Sequence, residues 1–212
     1  RTHTIASFFG GYRAVAADGV LRLLYLQGFL LMGAFVTLFN YVAFRLAAPP
    51  YLLGHAAIGA VFLLYVFGSA SSAWFGRLAG RIGVRRAFGW PIALLLLGTL
   101  VSAAAPLWIV LGGIVMATIG FFGAHSVASS WVSRRAFDQR AYASAFYLFF
   151  YYLGSSLLGS VGGFAWTHGG WPGVAVFVGG LTSLALLLSR LLARSVPLSD
   201  PRQPRVGQRL PD

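Results

Sequence analysis

Reaction chemistry in this chain could rest on very few side chains. The acids are Asp18, Asp138, Asp200 and Asp212, the histidines are His3, His55, His125 and His168, and there is no glutamate, lysine or cysteine. General acid–base work and phosphotransfer need carboxylates gathered in one site, yet all four aspartates fall outside the long apolar runs. The histidines lie in separate regions and lack the paired spacing of metal ligands, so no metal site is expected. No serine stands in the G-x-S-G context of six-helix intramembrane proteases. No glycine-rich loop ends in a lysine that could hold nucleotide phosphates. Without cysteine there is no thiol nucleophile and no disulfide framework. The chain is not read as an enzyme, and no cofactor is expected.

What positions these few groups is a set of apolar helices. Of 212 residues, 58% are apolar and 9% charged, against roughly 25% charged in soluble domains, which is more apolar surface than a soluble fold can hide. The net charge of +12 would suit nucleic acid, but the arginines fall between long apolar runs and not along an amphipathic surface, so the lipid bilayer is the expected partner and nucleic acid is not. A bilayer-crossing helix needs about 20 apolar residues. Six stretches qualify, approximately Leu23 to Phe44, Ala56 to Phe75, Phe88 to Ala105, Leu107 to Trp131, Tyr142 to Trp166 and Pro172 to Leu192. Breakers separate them: Pro49 and Pro50, Pro106, and Gly169-Gly170 before Trp171-Pro172. Pro106 leaves almost no loop, so the third and fourth spans should form a tight hairpin.

The expected organisation is an amphipathic cytoplasmic segment over residues 1–19, with Phe8, Phe9, Tyr12 and Val15 at helical spacing, a transmembrane domain over 20–192, and a basic, disordered cytoplasmic tail over 193–212. Every arginine except Arg45 then falls on one side of the membrane, which the positive-inside rule makes cytoplasmic, with both termini. Trp108, Trp166 and Trp171 are expected at the outer interface and Trp74, Trp90 and Trp131 at the inner one. The chain starts at Arg1 without a methionine and shows no signal-peptide pattern, from which a fragment is expected.

The most specific pattern is Gly76-Arg-Leu-Ala-Gly-Arg-Ile-Gly-Val-Arg-Arg86, between the second and third spans. It resembles the loop signature G-x-L-a-D-R-x-G-R-R of the major facilitator superfamily in the same place: Gly76, Leu78, Ala79, Arg81, Gly83, Arg85 and Arg86 match, and Gly80 replaces the aspartate. The glycines permit a tight reversal and the arginines hold the loop at the membrane surface. In that family the aspartate joins a charge relay that steadies one conformation, a contact Gly80 cannot make. Gly28 to Tyr41, Pro49-Pro-Tyr51 and Tyr151 to Ser156 look like the C-terminal half of bacterial arabinose-efflux-like and drug-efflux-like permeases. The resemblance implies an all-α half-fold of two three-helix repeats, residues 20–105 and 106–192, in the bacterial inner membrane, with an N-terminal six-helix half as its partner.

Small residues recur every four positions at Ser155, Gly159 and Gly163 on the fifth span and at Gly68, Ser72 and Gly76 on the second, both helix-packing surfaces of the G-x-x-x-G type, with the other half as a candidate partner. Polar residues inside a span usually face a cavity or a partner. Gly33, Thr37, Asn40, Tyr41 and Phe44 share a stripe on the first span, and Thr118, Phe122, His125 and Ser129 share one on the fourth. In the family the first and fourth helices of each half line the substrate cavity, which makes Thr37, Asn40, Tyr41, Thr118 and His125 cavity candidates. Structural helix-to-helix hydrogen bonds are an equal alternative for Asn40 and His125. The resemblance implies transport of a small organic solute by alternating access, with efflux favoured and protons as the candidate coupling ion. A structural or accessory membrane protein is the alternative, and a membrane-embedded enzyme is a weaker one.

Overall fold

A backbone in lipid must satisfy its own hydrogen bonds, so long apolar runs fold as helices. The computed structural model describes residues 5–194, with side chains from residue 11 onward, and every regular element among them is helical. The basic tail expected from residue 193 falls almost wholly outside the described residues. A short helix, α1 (Ile5–Ala17), precedes α2 (Gly19–Ala47). Next come α3 (His55–Ile82), which tightens to a 3-10 turn at Phe62–Leu64, then α4 (Val84–Val101) and α5 (Leu107–Arg135). A long helical stretch, Arg140–Ala193, closes the chain.

That last stretch is two helices. Gly170 sits at φ 55° and ψ −146°, outside helical geometry, and Pro172 follows. A Cβ built on Gly173 would strike the carbonyl of Ala165, although one continuous helix would put roughly 12 Å of rise between the two residues. The chain therefore doubles back at Gly170, giving α6 (140–169), α7 (171–193) and six long helices among the described residues.

Local chemistry fixes the ends. Asp18 caps α2, its carboxylate accepting from the backbone N–H groups of Val20 at 2.8 Å and Leu21 at 3.0 Å. Gly83 breaks α3 from α4 with φ 88° and ψ 145°, a conformation open almost only to glycine. At the opposite end of the bundle, Arg45 donates to the carbonyls of Ser102 and Ala104 and to the Tyr51 hydroxyl. Its guanidinium lies 4.9 Å from the Trp171 ring centroid and 5.6 Å from that of Tyr51. Arg45 thus occupies the orphan carbonyls where α4 ends and ties α2, α4 and α7 together.

Packing exchanges helices between the two halves of the chain. α2 packs chiefly on α6 and α7, while α5 packs on α3 and α4, and α2 and α5 meet in the middle. The first helix of each three-helix segment therefore seals against the second and third of the other. Glycines set the closest approaches. A Cβ at Gly98 would overlap the backbone of Ala117, one at Gly113 that of Ser102, and one at Gly120 that of Leu95, so α4 and α5 touch backbone to backbone.

Several expectations change at this level. α1 lays one face on the bundle, with Tyr12 edge-on to Tyr142 at 4.9 Å and to Phe146 at 5.4 Å and Val15 buried, while Arg13, Ala14 and Ala16 stay exposed. Trp131 and Trp171 are not interfacial belt residues; both are buried, Trp131 against Phe88 and Trp171 donating its indole N–H to the Ser102 carbonyl at 2.9 Å. Trp74, Trp90 and Trp108 are exposed, as a belt requires.

Because Gly170 holds a backbone conformation disfavoured for any side chain, Gly170→Ala should lower the unfolding free energy in detergent by about 1–3 kcal/mol. Gly169→Ala, where a Cβ meets nothing within 4 Å, should be neutral or mildly stabilising by helix propensity. Equal effects of the two substitutions in thermal or denaturant unfolding would refute the hairpin.

Candidate functional site

The five cavity candidates do not share one environment. Thr37 and Thr118 are fully buried. The Thr37 hydroxyl lies 2.8 Å from the Gly33 carbonyl and 3.1 Å from that of Leu158 on α6, and the Thr118 hydroxyl donates to Ile114 of its own helix at 2.8 Å. Both spend their polarity on backbone inside packed interfaces, so the structure places neither on a cavity wall. The helical stripe that grouped them with their neighbours is real, but close packing of α6 on α2 and of α4 on α5 covers its edges.

The other three remain accessible. Asn40 is exposed and makes no side-chain hydrogen bond among the described residues. Tyr41 is half-buried, its hydroxyl 3.4 Å from the Gly159 carbonyl and its ring stacked on Trp166 at 6.1 Å. His125, half-buried on α5, has Nδ1 3.1 Å from the Tyr147 hydroxyl on α6. With the proton on Nε2, the Tyr147 hydroxyl donates to Nδ1, which fixes the ring and leaves its other nitrogen free to bond elsewhere.

Around His125 the bundle is aromatic. Its ring lies 4.9 Å from Tyr151 and 6.2 Å from Phe121, centroid to centroid. Phe121 stacks on Phe35 of α2 at 3.9 Å and 9°, Phe35 meets Phe39 at 4.6 Å, and Phe39 meets Tyr65 of α3 edge-on at 4.9 Å. Four helices thus contribute to one continuous aromatic array, within which Tyr65, Phe122, His125 and Tyr151 stay partly exposed. The array sets the relative height of α2 and α5 at the Phe35–Phe121 stack. Asn40 lies above that level and His125 below it, so roughly 13 Å of helix axis separates them. They can line two ends of one cavity but cannot grip the same atom.

Tyr147 and Tyr151 were not among the sequence candidates, although their i, i+4 spacing puts them on one face of the fifth span. What admits Tyr147 is Gly28: a Cβ there would sit 2.9 Å from the Tyr147 ring. The small-residue ridges have partners inside the bundle. A Cβ built on Gly159 would sit 3.1 Å from Val36 and one on Gly163 2.8 Å from the Tyr41 hydroxyl, with Gly154 against the Phe29 backbone beside them. Ser155 is only half-buried on the edge of this ridge. On α3, Gly68 receives the Phe122 ring, a Cβ on Gly76 would lie 3.4 Å from the Ser126 hydroxyl, and Ser72 donates to the Phe122 carbonyl at 3.3 Å. Ser126 returns a bond to the Ser72 carbonyl at 3.0 Å. These ridges close α2 on α6 and α3 on α5, and not a surface turned toward another half.

In the last turn of α3, just before the break at Gly83, Ala79 is buried, Leu78 half-buried and Arg81 exposed, while nothing lies within 4 Å of a Cβ at Gly80. The residues of this turn, its place between the second and third helices and the exchanged packing agree with a sequence comparison in which residues 30–211 match the model of the Major Facilitator Superfamily. The chain belongs to the major facilitator superfamily. Similar proteins carry transporter names: an "Uncharacterized MFS-type transporter YybF" of Bacillus subtilis is 43% identical over 87% of this chain and 46% of its own length. The "Inner membrane transport protein YnfM" of Escherichia coli is 40% identical over 89% of this chain and 45% of its own length. An "Uncharacterized transporter" of Buchnera aphidicola is 37% identical over 82% and 42%. The chain spans about half the length of these curated relatives. It is a multi-pass membrane protein whose six long helices make one half of the superfamily fold.

Two contacts around the candidate site differ in kind, and their energies should differ too. Tyr147→Phe removes one interhelical hydrogen bond, for which about 0.6 kcal/mol and at most about 1.7 is expected. Gly154→Leu must push α6 off the Phe29 backbone and should cost about 1–3 kcal/mol or more. Unfolding measurements in mixed detergent–lipid micelles check the order, and a Tyr147→Phe effect exceeding that of Gly154→Leu would show that polar contacts outweigh packing here.

Proposed function

We propose that this bundle is the C-terminal half of a secondary transporter that exports a small organic solute from a bacterial cell by alternating access across the inner membrane. The observation that carries the reading is His125, a partly accessible polar ring oriented by Tyr147 and set among aromatic side chains on the central helix α5. A solute would meet the His125–Tyr151 surface and, nearer the other end, Asn40 and Tyr41 of α2. The N-terminal half would complete the cavity and cover exposed apolar residues of α3 and α6 such as Val66, Phe67, Phe149 and Tyr152. No acid lies in the described spans, since Asp18 and Asp138 stand at helix ends. If protons drive the transport, the carboxylate that carries them belongs to the other half.

In the transporter carrying both halves, His125→Gln should change apparent substrate affinity while keeping transport driven by a pH gradient, because glutamine hydrogen-bonds but does not titrate. A variant that folds, binds substrate normally and loses all response to the gradient would place His125 in the proton path.

Orientation rests on charge. Every arginine among the described residues except Arg45 lies at the bundle end where α2 begins and α7 finishes, which the positive-inside rule makes cytoplasmic. The sequence has no cysteine, and a Cβ at Gly54, Gly80 or Gly169 meets nothing within 4 Å. Single cysteines there should report topology without disturbing it. An impermeant thiol reagent on intact cells should label the Gly54 and Gly169 positions and spare the Gly80 position; the reverse pattern would invert the assignment.

A further inference from the structure

Where α4 begins and α7 ends, the bundle carries a groove of about 370 Å³ that has no part in the candidate cavity. Arg85, Arg86 and Arg190 line it together with Trp90 and Ser189. Arg86 and Arg190 are exposed and donate no side-chain hydrogen bond among the described residues. Arg85 is half-buried, and its Nη2 is buried without any hydrogen-bond partner. Among the described residues no carboxylate answers these charges, and the one ion pair there joins Arg135 to Asp18. An orphaned guanidinium nitrogen inside a cluster of three cations is costly to leave unpaired. The arrangement becomes favourable when an anion with several acceptor oxygens enters, and the planar fork of arginine suits phosphate oxygens.

The surroundings indicate which phosphate. The groove lies at the bundle end where α4 begins and α7 finishes, beside the exposed side chains of Trp90 and Arg190. Trp90 stands on its rim 69% exposed, as a side chain at the headgroup layer does. From Trp90 the same face of α4 continues to Leu97, also exposed at 50%, because positions seven apart nearly superpose around a helix. A headgroup seated among the arginines would therefore lay its acyl chains along an apolar track. We propose that this groove binds the phosphate of an anionic phospholipid, with Arg85, Arg86 and Arg190 as its ligands. Basic pockets between transmembrane helices hold such headgroups in general, and here the site clamps the start of α4 to the end of α7.

Native mass spectrometry of the full chain released from detergent tests the site, with phosphatidylglycerol and phosphatidylcholine of identical acyl chains offered in equal amounts. The wild-type chain should retain phosphatidylglycerol preferentially. Each arginine near an anionic headgroup should account for about fivefold in affinity, so Arg86→Gln with Arg190→Gln should weaken retention by about 25-fold. Both positions are exposed, so folding should survive, and the paired Arg86→Lys and Arg190→Lys changes should keep most of the preference. Arg134→Gln, an exposed arginine at the same end outside the groove, should shift it less than twofold. The proposal is overturned if wild type shows no preference, if the double glutamine variant binds like wild type, or if Arg134→Gln loses as much as the double variant. Displacement of the lipid by millimolar inorganic phosphate would also overturn it, by assigning the groove to a soluble anion.

Discussion

Backbone-to-backbone contact at glycine is the constraint on which the rest of this bundle depends. In lipid, burying a leucine between helices gains little over leaving it among acyl chains, so association must come from van der Waals closeness and interhelical hydrogen bonds. Gly98, Gly113 and Gly120 bring α4 onto α5, and Gly33, Gly154 and Gly162 bring α2 onto α6, each so tightly that an added Cβ would overlap a neighbour. Once these two pairs close, the places of the bulky residues follow. Tyr147 fits because Gly28 leaves room for its ring, Phe122 because Gly68 does, and Phe75 because Gly123 does.

Polar groups then have a restricted role. Thr99, Thr118 and Thr182 return their hydroxyl protons to carbonyls of their own helices, at 2.9, 2.8 and 2.8 Å, which satisfies them without joining helices. Other side chains cross between helices, among them Gln27 to Ala185, Ser71 to Ile119, and Arg45 to the end of α4. At about 0.6 kcal/mol for a typical interhelical bond, these contacts fix register more than they supply stability. His125 differs from them, because its partner Tyr147 holds one ring nitrogen and the side chain remains partly open.

Which features could be read from the sequence follows from what periodicity encodes. Apolar run length located the six spans, and the Gly169-Gly170-Trp171-Pro172 breakers placed the last reversal, where Gly170 leaves helical geometry between two helices that otherwise abut. The turn between the second and third spans was legible because Gly83 and the arginines around it are demanded by backbone and membrane surface. Angular position on a helix says which residues share a face but not which neighbour covers it. That is why Thr37 and Thr118 looked available while α6 and α4 hide the helices that carry them. It is also why Trp131 and Trp171 looked interfacial although both are buried. Arg45 read as a stray outer charge, because its use in closing the end of α4 depends on contacts across more than fifty residues of chain. Tyr147 was missed because an aromatic residue in an apolar span looks the same whether it faces lipid or holds a histidine.

The distribution of charge completes the physical picture. Near the end of α3, Gly80 stands where the superfamily signature has an acid, and a Cβ there meets open space, so this position offers the neighbouring arginines no carboxylate. The one ion pair among the described residues is Asp18 with Arg135, 3.1 Å apart and about a quarter exposed, with side-chain accessibilities of 27% and 25%. It links the start of α2 to the end of α5, the two central helices that carry the cavity candidates. A pair this exposed contributes at most about 1 kcal/mol. Asp18 also caps α2 through two backbone bonds, so its carboxylate keeps a structural role whether or not Arg135 is bound. At the arginine-rich end this exposed pair joins the two packed units, α2 with α6 and α7 on one side and α5 with α3 and α4 on the other.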